Sequence, residues 1–356
     1  MSLHPLFTQE HEELRQQIRR FVETELQPHA LDWEREGDFP DWIFKRMGDL
    51  GYLGLRFPPE YGGQGGDWGH AIVLAEELAR IGSAGVGMAI AVQTEMASPP
   101  ILRFGTEEQK QRYLPKLASG EWVGAFAITE PEAGSDAAGI KSTARRDGDH
   151  FVINGSKTFI TNGPIADVIS VVAVTDPEAA SGQRMSCFIV ERDTPGLEIG
   201  KHLDKSGNRS SPTSELHFTD MAVPASQLLG PEGSALWKVA FECFDWERTV
   251  MVAASLGGME AQLRGCLDYV KERKAFGKAI AEFEMIQDKL ARMRININTA
   301  RWVLYHAAWL KQEGRPHMME ASIAKHHIAD VAVQNALEAV QIFGGYGYIK
   351  EFPVER

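Results

Sequence analysis

The hydrophobic pattern changes twice along this 356-residue chain, and this limits the folds that the chain can adopt. Up to about residue 120, and again from about residue 231, apolar residues recur at the spacing of amphipathic helices. Between these regions, short runs of β-branched and aromatic residues are separated by Asp, Asn, Gly and Pro, as expected of strands. The sequence therefore predicts an α+β protein in which an antiparallel sheet is inserted between two helical regions.

Residues 1–120 are predicted to form an N-terminal helical domain. Thr8 is suited to cap the first helix, because acidic residues follow in the next turn. Leu14 and Ile18 then continue the apolar face of that helix. Further helices are expected near 41–52, 69–82 and 107–117, with turn signals at Pro58, Pro59 and the GGQGG run at 62–66.

The middle region, residues 121–230, is predicted to be a compact antiparallel β domain. Its Asn154-Gly155 pair, between two strand-like runs, predicts a hairpin turn. Residues 231–356 are predicted to form a C-terminal four-helix bundle. A row of small residues supports close helix contact there: Ala321, Ala324, Ala332, Ala336 and Ala339.

Composition excludes several classes of function. A formal charge of −12 argues against nucleic acid or an anionic membrane as the main partner. The three cysteines are widely spaced and form no Cys/His cluster, which favours free thiols in a reducing compartment and no metal site. No apolar run approaches the roughly 20 residues of a membrane span, and the first residues have no signal-peptide pattern. A cytoplasmic protein is expected.

Four motifs carry polar or aromatic residues suited to a ligand. The run Phe126-Ala-Ile-Thr-Glu-Pro-Glu-Ala-Gly-Ser-Asp136 predicts a strand followed by a turn. Such a turn can present backbone N–H groups and the Ser135 hydroxyl to the oxygens of a ligand such as a phosphate, although taken alone it is as typical of a polar surface loop. Phe159 and Thr161 alternate on one strand and so share a face, but an ordinary core Phe beside an exposed Thr fits the same pattern.

The third and fourth motifs lie in the C-terminal region. Arg273 and Phe276 are three apart at what is expected to be a helix end, and therefore on one side of it. The Arg suits a diphosphate, whereas the basic run KERKAFGK also fits a solvated face. Glycines in Gln341-Ile-Phe-Gly-Gly-Tyr-Gly347 allow close approach of a cofactor to the backbone, or simply cap a helix.

Glu247 is an acidic residue within an otherwise largely apolar stretch from Leu236 to Leu256. Asp245 and Arg248 are three apart and can pair along a helix, but the helical neighbours of Glu247 are apolar or a thiol: Cys243, Phe244, Val250 and Met251. A carboxyl in such surroundings is expected to have a raised pKa, as suits a general base. An ion pair to a distant Lys or Arg explains Glu247 equally well, and these features alone do not decide between the two.

The first motif closely resembles the flavin-binding signature of acyl-CoA dehydrogenases. The segments Thr158–Gly163, Arg273–Gly277 and Gln341–Gly347 match the family in the same order, so the resemblance covers essentially the whole chain. It implies FAD, bound non-covalently, as the cofactor. By resemblance, the cofactor-binding residues are Phe126, Ile128, Thr129, Gly134, Ser135, Phe159, Thr161, Arg273, Phe276, Gln341, Gly344 and Gly345, and the substrate-binding residues are Ser135, Asp245 and Arg248.

The resemblance also implies the reaction and assigns the base. Family members place their catalytic Glu at one of two positions, and Glu247 matches the position used by isovaleryl- and long-chain-type members. The commoner position lies beyond a motif like Pro353-Val-Glu-Arg356, where this sequence stops, so the C-terminal domain is expected to be truncated relative to the family. Glu247 would take the α-proton of an acyl-CoA while the β-hydride passes to flavin N5, giving a trans-2-enoyl-CoA.

The family further implies an electron-transfer flavoprotein as electron acceptor and a homotetramer in which Arg273 and Phe276 reach a neighbour's cofactor. Three alternatives stay open: an acyl-CoA oxidase, a related flavin monooxygenase (against which Glu247 argues) and a non-catalytic CoA- or flavin-binding homologue. Glu95 falls where the family lines its acyl cavity, which suggests a short or polar acyl group, but a solvated helix face fits Glu95 as well.

Overall fold

A computed structural model describes residues 4–241, 244 and 247–356. Helices occupy both ends of the chain, and their bounds, in chain order, are α1 Gln9–Phe21, α2 Ala30–Glu36, α3 Trp42–Asp49, α4 Trp68–Leu78, α5 Ala84–Ala91, α6 Ser98–Phe104, α7 Glu107–Ala118, α8 Val252–Glu272, α9 Glu284–Gln312 and α10 Met318–Phe343. Thr8 precedes α1 in extended conformation, and its backbone N–H donates to His11 Nδ1 at 2.9 Å, so the predicted N-cap is confirmed.

The strands all lie in the middle of the chain except for one short hairpin. They are β1 Gly124–Ala127, β2 Thr143–Asp147, β3 His150–Thr161, β4 Val168–Val174, β5 Met185–Glu191, β6 Leu197–His202, β7 Thr213–Pro224 and β8 Leu228–Leu229, with β9 Lys274–Ala275 and β10 Lys278–Ala279 forming the hairpin. The α–β–α order predicted from the hydrophobic pattern is thus confirmed.

The middle strands form one twisted sheet in the order β6-β7-β3-β2-β4-β5-β8, with β1 attached to β4. Most neighbours are antiparallel, as predicted, but β1 and β2 both pair with β4 in parallel. Apolar clusters form on the two faces of β1: Phe126 belongs to one cluster, and Ala125 and Ala127 to the other. This alternation fixes the face on which each residue of the first motif lies.

The predicted hairpin at Asn154-Gly155 is wrong. Strand β3 runs straight through this pair, and its register with β7 shifts between Ile153 and Gly155, which is a β-bulge. Gly155 has φ +142°, and a Cβ there would lie 2.4 Å from Ser142 Oγ, so the glycine is required by close packing and not by a chain reversal. The actual turn joins Asp147 to His150, with Gly148 at φ 63°.

The chain divides into two compact units. One contains residues 33–66 and 84–247 and therefore the whole eight-stranded sheet. The other contains residues 4–32, 67–83 and 248–356, where α8, α9 and α10 pack against one another and α4 packs against α8. Among the described residues, no helix is both long and apolar enough to span a membrane.

Candidate functional site

The first motif forms a strand end and a tight turn. Phe126 and Ile128 are buried in the apolar cluster, with 5% and 7% of their surface exposed, so their side chains offer little more than an edge to a ligand. Glu130 and Ala133 then exchange two backbone hydrogen bonds of 3.0 and 3.1 Å, which close the turn. Gly134 and Ser135 follow and are exposed. A Cβ on Gly134 would meet no heavy atom within 4 Å among the described residues, so the backbone there is open to a ligand.

The second motif presents an aromatic ring to solvent. Phe159 is 68% exposed and Thr161 is partly buried, whereas Thr158 and Ile160 are buried, which agrees with the predicted shared face of Phe159 and Thr161. Phe159 has φ 59°, a left-handed conformation that costs a non-glycine residue on the order of 1–3 kcal/mol. An exposed phenyl ring held in a strained backbone is a feature that recurs at binding sites.

These two motifs lie side by side in the sheet-containing unit. The backbone N–H of Thr158 donates to the carbonyl of Thr129 at 2.9 Å. The Lys157 ammonium donates to the carbonyl of Ile128 at 3.0 Å and lies 2.7 Å from Glu130 Oε1. The two segments that the sequence separates by more than twenty residues therefore form one continuous patch.

The third motif differs from its prediction. Helix α8 ends at Glu272, and Arg273 has left the helix with φ −68° and ψ 125°, so Arg273 and Phe276 do not share a helix face. Strands β9 and β10 instead form a hairpin whose two turn residues, Phe276 and Gly277, have φ 52° and 82°. Positive φ at both positions is the signature of a type I′ turn. Phe276 lies at the tip and is 96% exposed.

The third and fourth motifs meet at a cavity of about 540 Å³. Arg273, Gly344, Gly345 and Tyr346 line it together with six largely apolar residues: Tyr269, Ile280, Ile286, Ile342, Phe343 and Ile349. The Arg273 guanidinium carbon lies 5.5 Å from the centre of the Tyr346 ring. A guanidinium suits phosphate oxygens, and an aromatic wall suits a flat heterocycle.

Glycine ends the helix before this cavity, as predicted. Helix α10 stops at Phe343, and Gly344 has φ 60° and ψ −133°, a conformation open essentially to glycine alone. A Cβ on Gly344 or Gly345 would meet none of the described atoms within 4 Å, so a ligand can approach the backbone. Gln341 is exposed on the last turn of the helix and is not among the lining residues.

Glu247 lies in a π-helical segment, Glu247–Met251, and is partly buried. The preceding turn, Ala235–Ala240, belongs to the same apolar cluster as Phe126 and Ile128, and Phe244 packs against that cluster. Glu247 is therefore three residues along the chain from Phe244, which contacts the core beneath the first motif. Single π-helical turns occur frequently at functional sites.

Two of the predictions around Glu247 fall outside the described residues. Asp245 and Cys243 are not described, so neither the ion pair of Asp245 with Arg248 nor the role of Asp245 in substrate binding is tested. Arg248 is partly buried in the π-helical segment.

Glu95 is not on a solvated face. It is only 4% exposed and forms an ion pair of 2.8 Å with Arg56. The prediction of a solvated helix face is therefore wrong, because the π-helical segment Val92–Ala97 turns this carboxylate inward.

Lys157 and Glu130 pair beside the first two motifs and were not predicted from the sequence. The signal was present, because Lys157 interrupts a strand pattern of mainly apolar inward residues, and a fully buried Lys needs a partner. Burial is the main reason why the pKa of Lys157 falls to about 8, and the attraction of Glu130 offsets it only in part. Burial would raise the pKa of Glu130, but the charge and hydrogen bond of Lys157, together with hydrogen bonds from Ser142 and from the Lys141 backbone N–H, outweigh burial and lower it.

A larger cavity, of about 630 Å³, lies in the other unit and contains none of the predicted site residues. Its walls carry acids that are already paired: Arg15 lies 2.5 Å from Glu76, Arg19 lies 2.8 Å from Glu77, and the Tyr305 hydroxyl donates to Glu76 at 2.7 Å. These bonds join helices α1, α4 and α9, so we assign them to stability.

The described residues offer two sets of groups that suit FAD, one in each unit. In the sheet-containing unit, the exposed ring of Phe159, the Thr161 hydroxyl and the open turn at Gly134 and Ser135 offer stacking and hydrogen bonds to a polar heterocycle. In the other unit, the cavity at Arg273 and Gly344 offers a cation and an aromatic wall, as an adenosine diphosphate moiety requires.

Comparison with known proteins agrees with this chemistry. Sequence models of the acyl-CoA dehydrogenase N-terminal, middle and C-terminal domains match residues 8–121, 125–221 and 237–356. A short-chain-specific acyl-CoA dehydrogenase of Clostridium acetobutylicum is 42% identical, over 98% of this chain and 91% of the relative. The mitochondrial isovaleryl-CoA dehydrogenase of Pongo abelii is 38% identical, over 98% of this chain and 83% of the relative.

Solved structures show the same fold. Butyryl-CoA dehydrogenase from Megasphaera elsdenii superposes with a TM-score of 0.95 at 39% identity, covering 100% of this chain and 93% of that one. A chain from a structure described as the electron transferring flavoprotein of Acidaminococcus fermentans has a TM-score of 0.95 at 40% identity, covering 100% and 92%. The three domain matches and the motifs in their expected order lead to one conclusion: the chain belongs to the acyl-CoA dehydrogenase family.

Proposed function

We propose that the protein is an FAD-dependent acyl-CoA dehydrogenase, which converts an acyl-CoA thioester to the trans-2-enoyl-CoA. The observation that carries this proposal is the adjacency of the first two motifs, which are joined by the Thr158–Thr129 hydrogen bond of 2.9 Å. The apolar cluster beneath the first motif also contains the segment Ala235–Ala240, which precedes Glu247. One patch thus combines the exposed ring of Phe159 with a turn whose backbone is open at Gly134, and Glu247 follows Phe244, which packs against the core of this patch.

Different residues of the chain bind the two halves of FAD and remove the substrate proton. FAD, when bound, supplies the acceptor for the β-hydride. Phe159 and Thr161 provide a stacking surface and a hydroxyl for the flavin ring, and Gly134 and Ser135 provide donors for its pyrophosphate and for CoA. Arg273, Gly344 and Gly345 hold the ADP half, and Glu247 removes the α-proton.

The remaining assigned residues support the flavin ring, reach the cofactor from a neighbouring subunit or lie on the substrate side. Phe126, Ile128 and Thr129 support the flavin ring from the core side, which suits the nearly complete burial of Phe126 and Ile128. Gln341 and Phe276 are exposed and reach the cofactor at a subunit boundary. Asp245 and Arg248 belong to the substrate side of the site.

We infer a short acyl group as substrate. Glu95 and Arg56 place an ion pair where the family lines its acyl cavity, and a long alkyl chain gains little from packing against charge. The relatives named short-chain-specific and butyryl-CoA dehydrogenase support this preference. Flavin reduction by butyryl-, isovaleryl-, octanoyl- and palmitoyl-CoA measures it, and fastest reduction by palmitoyl-CoA would contradict it.

The electrons pass to an electron-transfer flavoprotein, a proposal supported by the similar chain in the Acidaminococcus fermentans structure. A cytoplasmic location is also proposed, on the ground that Cys187 and Cys266 are buried free thiols. An acyl-CoA oxidase is the second candidate, and a prolyl acyl carrier protein oxidase is 34% identical at a TM-score of 0.92. Rapid reoxidation of the reduced protein by oxygen would favour the oxidase.

Flavin content and product test the proposed function. We expect the purified protein to release FAD, and not FMN, on acid precipitation, because Arg273 and the cavity beside it suit the ADP half. With an acyl-CoA and an artificial electron acceptor, trans-2-enoyl-CoA should accumulate. A protein that takes up no FAD on reconstitution, or that binds FAD and forms no enoyl product from any acyl-CoA, would contradict the proposal and favour a non-catalytic binding protein.

A further inference from the structure

A buried ion pair lies directly beneath the two flavin motifs. The Lys157 side chain is 0% exposed, and its ammonium lies 2.7 Å from Glu130 Oε1 and donates to the Ile128 carbonyl at 3.0 Å. Removing two charges from water costs several kcal/mol per ion unless their geometry and remaining hydrogen bonds compensate for it. A buried pair at this position therefore calls for a role that an apolar pair would not fill.

Glu130 connects three segments of the chain. Its backbone closes the turn with Ala133, through bonds of 3.0 and 3.1 Å. Its carboxylate accepts hydrogen bonds from the backbone N–H groups of Lys141, at 2.6 Å, and Ser142, at 3.0 Å. With Lys157, the carboxylate thus ties the turn that precedes Gly134 and Ser135 to the chain entering β2 and to the middle of β3.

Lys157 stands immediately before the irregular part of β3. The register between β3 and β7 shifts between Lys157 and Ile160, and Phe159 in this interval has the left-handed φ of 59°. A strained backbone persists only where its surroundings over-determine it. The two bonds of Lys157 to the first motif, together with the Thr158–Thr129 bond, provide that constraint.

We propose that Lys157 and Glu130 are positioning residues for the flavin, whose ion pair holds the turn at residues 130–135 and the ring of Phe159 at a fixed separation. The inference rests on the proposed function, because it concerns the same FAD site. Both side chains lie below the surface that a cofactor would cover, so they act through Ile128, Thr129, Phe159 and Ser135 and not by contact with FAD.

The test compares two single variants, their combination and a matched control. Lys157→Met removes the charge and keeps the length, and Glu130→Gln removes the opposite charge. The double variant Lys157→Met/Glu130→Gln leaves no unpaired buried charge. Lys141→Met is the control, because it breaks the neighbouring ion pair of Lys141 with Glu132, in which both side chains are exposed to solvent.

Two quantities are measured for each variant: the melting temperature of the protein without cofactor, and FAD binding by titration together with the visible flavin spectrum. We expect each single variant to weaken FAD binding about tenfold or more, since a hydrogen bond to a charged group is lost. The double variant should recover the melting temperature while still binding FAD weakly and with an altered spectrum. Lys141→Met should match the wild type in both measurements.

Two results would overturn the inference. If the double variant recovers FAD affinity and spectrum together with its melting temperature, the pair serves stability alone. If the single variants bind FAD as the wild type does, the pair does not position the site. A wild-type protein that binds no FAD is distinguishable from both, since it would contradict the proposed function itself.

Discussion

His70 shows at the level of one residue how this structure couples charge to helix formation. Its Nδ1 lies 2.8 Å from Asp67 Oδ1 at the start of α4, and Asp67 also lies 2.8 Å from Nε2 of the buried His11. The hydrogen bond to the Asp67 carboxylate raises the pKa of His70, and burial opposes this effect only in part. The three side chains are close enough to suggest a metal site, but their bonds already begin helices α1 and α4.

The charged form of His70 should therefore stabilise the fold in a defined pH window. Because the pKa is higher in the folded protein, the stabilisation is complete below the ordinary value of about 6.5 and is lost as pH rises through the raised value. His70→Gln should lower the free energy of unfolding by about 1 kcal/mol at low pH, and this loss should shrink as the pH rises through the raised pKa of His70. Urea unfolding across this range measures the effect, with exposed His326→Gln as the control. A loss that does not change with pH would contradict the account.

Side-chain direction was easier to predict than backbone strain. The alternation of Phe159 and Thr161 in the sequence predicted that both would emerge on one face, and the structure agrees. The left-handed backbone of Phe159 and of Phe276 was not predictable, because phenylalanine normally avoids positive φ. Phe159 follows the Thr158–Thr129 hydrogen bond, and Phe276 lies in the turn between the paired strands β9 and β10, so tertiary and strand contacts surround both positions.

At the level of elements, the contact of α4 with α8 depends on one glycine. A Cβ added to Gly257 would lie 2.0 Å from the backbone carbonyl oxygen of Glu76, whereas one added to the adjacent Gly258 would meet no described atom within 4 Å. Backbone atoms cannot move aside as a flexible side chain can. Gly257 and Gly258 therefore allow a direct comparison, because they are neighbours in one helix and only Gly257 is crowded by another helix.

Gly257→Ala should destabilise the protein, because overpacking costs about 1–3 kcal/mol or more. Gly258→Ala should instead stabilise it by roughly 0.5–1 kcal/mol, since alanine loses less entropy in a helix. Denaturant unfolding of both variants checks the two signs. Equal effects at the two positions would mean that the helices do not approach as closely as described.

Helices were predicted better than turns. The stretches near 41–52, 69–82 and 107–117 correspond to α3, α4 and α7, since helical periodicity reports burial on one face. The Asn154-Gly155 pair misled because its turn preference is local, whereas the bulge at Gly155 serves the close approach of Ser142. The parallel pairing of β1 with β4 was equally hidden, because it depends on a long-range contact.

At the level of the whole molecule, α10 has apolar residues on two opposite faces. One face, with Ala324, Ile328 and Ala339, is buried in its own unit. The other carries exposed Ile323, Val333 and Leu337. We propose that this outer face packs against another copy of the chain in a homotetramer, because such a row is otherwise left in water.

Leu337→Glu should therefore weaken assembly. A charge in an apolar interface is desolvated without a partner, so the mass measured by light scattering should fall from that of a tetramer towards a dimer or monomer. Lys325→Glu, exposed on the same helix but away from the row, should leave the mass unchanged. A wild-type protein that is monomeric and retains FAD would contradict the tetramer.

The sequence predicted the large-scale order of helices and sheet, and the resemblance predicted the family. The hydrophobic pattern did not predict that residues 67–83 would pack into one unit with residues 248–356, because that packing depends on long-range contacts such as the contact of Gly257 with Glu76. The domain boundaries near residues 120 and 230 stay predictions.

The proposed dehydrogenation requires Glu247 to remove the α-proton of an acyl-CoA, and anaerobic reduction of the bound flavin by butyryl-CoA tests this role. The wild-type protein should lose its visible flavin absorbance rapidly on mixing. Glu247→Gln keeps the size of the side chain and removes the proton acceptor, so the variant should bind FAD and ligand but reduce its flavin ~10²–10⁴-fold more slowly. Reduction of the variant at nearly the wild-type rate would show that the base is another residue.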